Sequence, residues 1–91
     1  MNRFPTVKHA QSNTVCMQEH HMVSEAIELI DAYNLFMIDP DNNTYEDFLD
    51  ECTDFVWSYQ TRETIDQVSI EASRRRVIEK NKKRGYLVDS K

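Results

Sequence analysis

The chain has 91 residues, of which 40% are hydrophobic and 30% charged, and its formal net charge at pH 7 is −5. These values indicate one folded domain and exclude a disordered or membrane-embedded chain. The longest purely apolar run, residues 35–38, is far shorter than the roughly 20 residues of a membrane span.

The N-terminal residues and the cysteines indicate a cytoplasmic protein. Residues 1–12 lack the apolar core of a secretion signal. The two cysteines, Cys16 and Cys52, have no paired spacing, so we predict no disulfide framework. Both fall in helical apolar patterns, where cysteine is usually a small buried hydrophobe. We therefore expect a reducing compartment.

Helix-breaking residues are scarce, which predicts an all-α fold. The chain has one glycine, Gly85, and two prolines, Pro5 and Pro40, so no glycine or proline interrupts residues 41–84. We predict an extended N-terminal segment over 1–13, one helical domain over 14–84 and a C-terminal tail over 85–91. The domain is an antiparallel helical hairpin with a third, C-terminal helix.

The first helix, predicted over about 14–38, ends before Pro40 because a residue preceding proline avoids helical geometry. Its apolar positions cover nearly half of the circumference, more than one neighbouring helix can bury. The third helix or a second copy must therefore cover it, and we expect a homodimer. The apolar positions are Val15, Met22, Val23, Ala26, Leu29, Ile30, Tyr33, Phe36 and Met37.

The second helix, predicted over about 44–60, has the clearest pattern in the chain. Its apolar residues step by three and four along one face, and acidic residues occupy the opposite face. Residues 39–43 suit the turn of an αα-hairpin. The apolar positions are Tyr45, Phe48, Leu49, Cys52, Phe55, Val56 and Tyr59.

The third helix, predicted over about 64–84, is less distinct. Thr64 and Gln67 have capping-box spacing, although the second helix could equally continue without a break. We expect the third helix to stop at Gly85, with basic residues in its last turn favouring the helix dipole.

Residues 39–50, DPDNNTYEDFLD, place oxygen-bearing side chains at most ligand positions of a calcium-binding EF-hand. Two positions depart from the EF-hand pattern: the sixth requires glycine but is Thr44, and the twelfth requires glutamate but is the shorter Asp50. We interpret this stretch as a turn with a helix cap, in which Thr44 caps the second helix and Asp47 completes a capping box.

Transition metals and catalysis are weakly supported. Cys16 and His20 are four residues apart, and His9, His21 and Cys52 could join them, but no established ligand motif is present. No nucleophile motif or glycine-rich phosphate loop occurs. We predict neither an enzyme nor a metal or cofactor site.

One residue breaks the amphipathic pattern of the second helix. Trp57 falls among the carboxylates, where it is either an exposed anchor for a partner or covered by the N-terminal segment or the third helix. We hypothesise that the chain binds and modulates, most simply inhibits, another protein with a basic surface. The predicted contact residues are Trp57, Glu46, Asp47, Asp50, Glu51 and Asp54.

The charge is divided along the chain, and this division supports two alternatives. Residues 1–71 contain 3 basic and 14 acidic residues, a net of −11, whereas 72–91 contain 8 and 2, a net of +6. The basic end could contact nucleic-acid phosphates, or opposite ends could stack in a structural assembly. The candidate nucleic-acid residues are Arg74, Arg75, Arg76, Lys80, Lys82, Lys83 and Arg84.

Overall fold

The computed structural model describes residues 4–88, apart from the side chain of His9. The fold is all-α, as predicted: a hairpin of two long helices followed by a third. After a short 3₁₀ turn over Lys8–Gln11, the helices are α1 (Val15–Ile38), α2 (Asn42–Ile65) and α3 (Gln67–Lys83). The N-terminal segment therefore contains a 3₁₀ turn and is not extended throughout.

The turn between α1 and α2 is closed by a capping box that differs from the predicted one. Asp41, not Thr44, is the N-cap: its carboxylate accepts from the Thr44 backbone N–H at 2.9 Å. The Thr44 hydroxyl accepts from the Asp41 N–H at 3.0 Å and donates to the Asp39 carbonyl at 2.8 Å. The helix therefore begins at Asn42, two residues earlier than expected. The Asp41 side chain accepts a hydrogen bond from the backbone of the first helical turn.

The hairpin is held by stacked and tilted aromatic rings near the turn and by a polar contact at the other end. Phe36 lies 5.5 Å from Tyr45 and 6.2 Å from Phe48, measured between ring centroids. Gln18 of α1 is fully buried, and its amide Nε2 donates to the Ser58 carbonyl at 2.9 Å. A buried polar side chain needs such a partner, so Gln18 fixes the register of the two helices.

A single residue, Asp66, joins α2 to α3. The Asp66 carboxylate accepts from the Ser69 backbone N–H at 3.2 Å, and hydrogen bonds from Ser69 lower the pKa of Asp66. The predicted Thr64–Gln67 box is therefore wrong, and so is a continuous second helix. Aspartate is a strong N-cap because its side chain satisfies an otherwise unpaired N–H.

The placement of α3 corrects the expectation that it could cover α1. Within residues 4–88, α3 packs only on α2, near the joint. Arg62 of α2 lies behind the joint, where its Nε is 3.3 Å from Glu19 of α1 and its guanidinium is 3.7 Å from Asp66. Arg62 therefore links α2 to Glu19 of α1 and to Asp66, the N-cap of α3, but within residues 4–88 α3 leaves the outer surface of α1 uncovered.

The C-terminus of α3 confirms the predicted stop at Gly85. Gly85 has a φ of 73°, the left-handed conformation that glycine adopts most easily. Its N–H donates to the Lys82 carbonyl at 3.1 Å, and the Tyr86 N–H donates to the Asn81 carbonyl at 3.0 Å. These two bonds form a Schellman cap, which satisfies carbonyls left unpaired at the helix end.

The chain has a very small apolar core. Ile70 is the one large hydrophobic side chain that is buried among the described residues. The accessible surface is 7244 Å², whereas a monomeric protein of this mass exposes about 5,500 Å². The radius of gyration is 15.9 Å, compared with about 12 Å for a compact chain of this length. None of the described helices combines the length and apolarity needed to cross a membrane.

Candidate functional site: an acidic groove in the hairpin

The N-terminal segment covers Trp57, which decides between the two predicted environments of this residue. Phe4 stacks on the indole with ring centroids 5.1 Å apart and an interplanar angle of 12°. The indole Nε1–H donates to the Pro5 carbonyl at 3.1 Å. Gln60 clamps the same segment, because its amide accepts from the Phe4 N–H at 3.1 Å and donates to the Phe4 carbonyl at 2.8 Å.

We call residues 4–7 the N-terminal strap. In this arrangement Trp57 is half-buried, with its polar atom bonded within the chain. It is not presented as an open anchor. The sequence left cover by the N-terminal segment as one alternative, but no pattern identified Phe4 as the contact, since Phe4 and Trp57 are 53 positions apart and follow no shared period.

The predicted acidic residues of α2 do not form a flat solvated face. Asp47, Asp50, Glu51 and Asp54 line a groove between α1 and α2 with a volume of about 500 Å³. We call this the acidic groove. Glu46, the remaining predicted contact residue, is exposed but does not line it. The groove residues are Asp31, Ala32 and Leu35 of α1 with Thr44, Asp47, Asp50, Glu51 and Asp54 of α2.

The contribution of α1 to the groove was not predicted. Asp31 adds a fifth carboxylate, while Ala32 and Leu35 supply an apolar surface between the acids. The sequence shows that α1 has acidic residues. Which of them lie beside the acids of α2 depends on how the two helices of the hairpin pack. The groove therefore combines five carboxylates with an apolar part of its lining, Ala32 and Leu35, which we call the apolar floor.

Most of the groove carboxylates have no basic neighbour. Within residues 4–88, the ion pairs involve other acids, and none reaches Asp31, Asp47, Asp50 or Asp54. The groove therefore has an uncompensated negative potential, which attracts cations and cationic side chains. Uncompensated like charges also cost stability, because each repels the others across the groove.

Glu51 turns inward from the groove towards Glu25 and Glu28 of α1, and this corrects the prediction that it faces solvent. Burial raises the pKa of Glu51, and the charges of Glu28, Asp54, Asp47 and Asp50 raise it further.

Glu25 titrates in the same direction. Burial and the nearby Glu28 raise the pKa of Glu25, while His21, 3.5 Å away, lowers it in part. One carboxylate oxygen of Glu25 and one of Glu51 are buried without a hydrogen-bond partner among the described residues. The site thus holds at least two carboxyl groups that resist ionisation.

The carboxylate cluster of Glu25, Glu28 and Glu51 brings one ligand oxygen from each residue within 4.8 Å of the others. In the part of the chain that the structure describes, the cysteines and histidines considered as zinc ligands form no such group. The His9 side chain lies outside the described residues. Cys16 is exposed and Cys52 only half-buried, so the expectation that both are buried is wrong.

The basic residues of the C-terminal helix divide into one paired residue and six unpaired ones. Arg74 donates to Glu63 of α2 at 2.8 Å, which fixes α3 against α2. The other six are exposed, and no ion pair within residues 4–88 includes them. These six are Arg75, Arg76, Lys80, Lys82, Lys83 and Arg84.

The fold and the groove together define a small helical-hairpin protein with an acid-lined groove between its first two helices. Comparison with protein-family models, curated proteins and solved structures found no match to this chain.

Proposed function

We propose that this chain is a small non-enzymatic protein that binds another protein by accepting a basic segment of it in the acidic groove. The observation that carries the proposal is the set of unpaired carboxylates around an apolar floor. Lysine and arginine combine an apolar stem with a cationic head. Ala32 and Leu35 suit the stem, and Asp31, Asp47 and Asp50 suit the head.

Binding inhibits the partner when the basic segment is one that the partner uses to contact something else. The uncompensated charge of the groove favours rapid association, because complementary potentials steer the encounter. The contact lies in the groove and not at Trp57, since the strap already stacks on the indole. We place this activity in the cytoplasm, which is supported by the two unpaired thiols.

Affinity capture with matched variants tests this function. The immobilised chain is exposed to a native lysate as wild type, as Asp47→Asn with Asp50→Asn, and as Glu71→Gln with Glu79→Gln. Both variants lose two carboxylates, but Glu71 and Glu79 lie on α3, outside the groove. We expect a basic protein to be retained by the wild type and by the α3 variant and lost from the groove variant.

The affinity of the captured protein then gives the magnitude. Each exposed ion pair contributes roughly 0.2–1 kcal/mol, so the groove variant, which loses two, should bind the purified partner roughly 2- to 30-fold more weakly. Equal retention by the groove variant and the wild type would refute the proposal. Equal losses from both variants would assign the effect to net charge and refute it as well.

A second function, binding of nucleic acid, is favoured by the six unpaired cations at the end of α3. Contacts to phosphates release counterions, so the affinity for a polynucleotide should fall steeply with salt. Arg75→Ala with Lys82→Ala should flatten that slope, whereas Arg74→Ala should change it less because Arg74 pairs with Glu63. A slope that the double variant leaves unchanged removes this function.

The third alternative is a structural assembly in which the acidic part of one copy meets the basic helix of the next. Such a contact is heterologous and does not close, so mass would climb with concentration without a limit. Light scattering that reaches a fixed mass excludes it.

A further inference from the structure

The hairpin has two sides of opposite character, and the second side is apolar. Stepping about 100° per residue around α1, Asp31 and Leu35 lie to one side of the direction that faces α2. Val23, Ile30 and Met37 lie to the other side. On α2 the same construction separates the groove acids from a row of large apolar side chains. We call the second surface the apolar side; it comprises Val23, Ile30, Tyr33, Met37, Tyr45, Leu49 and Val56.

All seven side chains of the apolar side are exposed. An exposed apolar surface that runs along two helices is unusual for a monomer and marks a surface that another protein covers. We propose that the apolar side packs against the apolar side of a second copy of this chain, so that two hairpins form a four-helix bundle.

The area of the chain supports a second copy as the occupant. The chain exposes about 1,700 Å² more than a monomer of its mass. Stable homodimers bury roughly 2,000–5,000 Å² in total, or about half of that per chain. The excess is thus of the size that one dimer interface removes. A dimer would also supply the core that a single chain lacks, since Ile70 is its one buried large hydrophobic residue among those described.

The spacing of the apolar residues fits bundle packing. On α1, Val23, Ile30 and Met37 are seven residues apart, with Ala26 and Tyr33 between them, which gives steps of three and four. On α2, Tyr45, Leu49, Cys52, Val56 and Tyr59 step in the same way. This repeat is the one by which antiparallel helices interdigitate in four-helix bundles.

The distribution of charge favours self-association through this surface. By the same construction, Glu19 and Glu63 share this side of α1 and α2, but each is paired with an arginine, whereas the unpaired acids that line the groove lie on the other side. Two copies can therefore meet without bringing their grooves together. The wide apolar arc of α1 is also explained, because one part packs on α2 and the neighbouring part packs on the second copy.

Matched substitutions and the mass in solution test this dimer. The full chain should have twice its 10.8 kDa mass in light scattering at micromolar concentration. Ile30→Glu should weaken the dimer roughly 100-fold or more, because it buries a carboxylate at the interface of each copy. Ile78→Glu on α3 is the control: the residue type is the same and the exposure is similar, 52% against 57%.

A second measurement decides the matter if Ile30→Glu fails to fold. When two copies fold together, the midpoint of thermal unfolding of the wild type rises with protein concentration. A wild-type monomer, a midpoint independent of concentration, or a dimer that Ile30→Glu leaves intact would each overturn the proposal. Asp47→Asn with Asp50→Asn should leave the dimer unchanged, which separates this surface from the acidic groove.

Discussion

Gln60 holds the N-terminal strap over Trp57, and its removal should expose the indole. Its side-chain amide accepts from the Phe4 N–H and donates to the Phe4 carbonyl. Gln60→Ala removes both bonds, each with a net contribution of about 1 kcal/mol. What remains is the ring stack, about 1 kcal/mol, and the bond from the indole to Pro5.

The expected change is large on the scale of this contact. A loss of about 2 kcal/mol shifts the equilibrium between docked and released strap about 30-fold towards release. The remaining stack and hydrogen bond must then offset the cost of ordering four residues, about 1–2 kcal/mol each. We therefore expect a strap that is largely released in Gln60→Ala, while the hairpin itself stays folded.

Trp57 is the only tryptophan in the chain, so its fluorescence reports the strap directly. In Gln60→Ala the emission maximum should move to longer wavelength, and acrylamide should quench the indole more strongly. Gln67→Ala is the matched control, because its amide bonds only to Glu71 in an exposed helical turn. Unchanged quenching in Gln60→Ala, with circular dichroism intact, would refute the role of the strap.

Three further predictions concern stability. Because the folded-state pKa values of Glu25 and Glu51 are raised, the contribution of these two groups to stability should be fully present below the ordinary carboxyl pKa and should be lost as pH rises through the raised values. Glu51→Gln should flatten this dependence and raise the free energy of unfolding above pH 7 by roughly 0.5 kcal/mol, as measured by urea titration, and an unchanged slope would contradict it. Thr44→Val should cost about 1–2 kcal/mol in the same titration, because it loses the two hydroxyl bonds to Asp41 and Asp39 while the Asp41 cap itself remains. Thr53→Val should cost less than about 0.5 kcal/mol because its hydroxyl bonds back to the preceding turn, and similar losses in both variants would argue against a role for the Thr44 hydroxyl in the capping box. Gly85→Ala should lower the free energy of unfolding by about 1 kcal/mol and shorten α3, because alanine disfavours a φ of 73° even though no atom lies near the added Cβ. A stability equal to that of the wild type would show that the cap rearranges without strain.

The sequence predicted those parts of the fold that depend on local chemistry. The end of α1 follows from Pro40, and the end of α3 follows from Gly85. The joint at Asp66 was missed although Asp66 and Ser69 have capping spacing, because Thr64 offered a similar pattern and no glycine or proline marked the break. When two capping patterns are equally strong in the sequence, the packing of the helices determines which of them forms.

The site was predicted in composition but not in shape. The acidic side of α2 followed from periodicity, yet the groove exists only because α1 places Asp31 and Leu35 beside it. The environment of Trp57 depended on a segment far away in the chain, and the inward turn of Glu51 depended on Glu28 of the other helix. Such contacts depend on the packing angle and register of the hairpin, which cannot be predicted from the helical periodicity of each segment.

Within residues 4–88, α3 packs only on α2 near the joint, and apart from the Arg74–Glu63 pair no ion pair joins its cations to the acids of the hairpin. The molecule is therefore an electric dipole whose two poles are held apart by the backbone itself. At low ionic strength, attraction between opposite poles should hold the osmotic second virial coefficient below the value expected from repulsion between net charges of −5 alone. Added salt should reduce this difference as the Debye length falls below the separation of the poles.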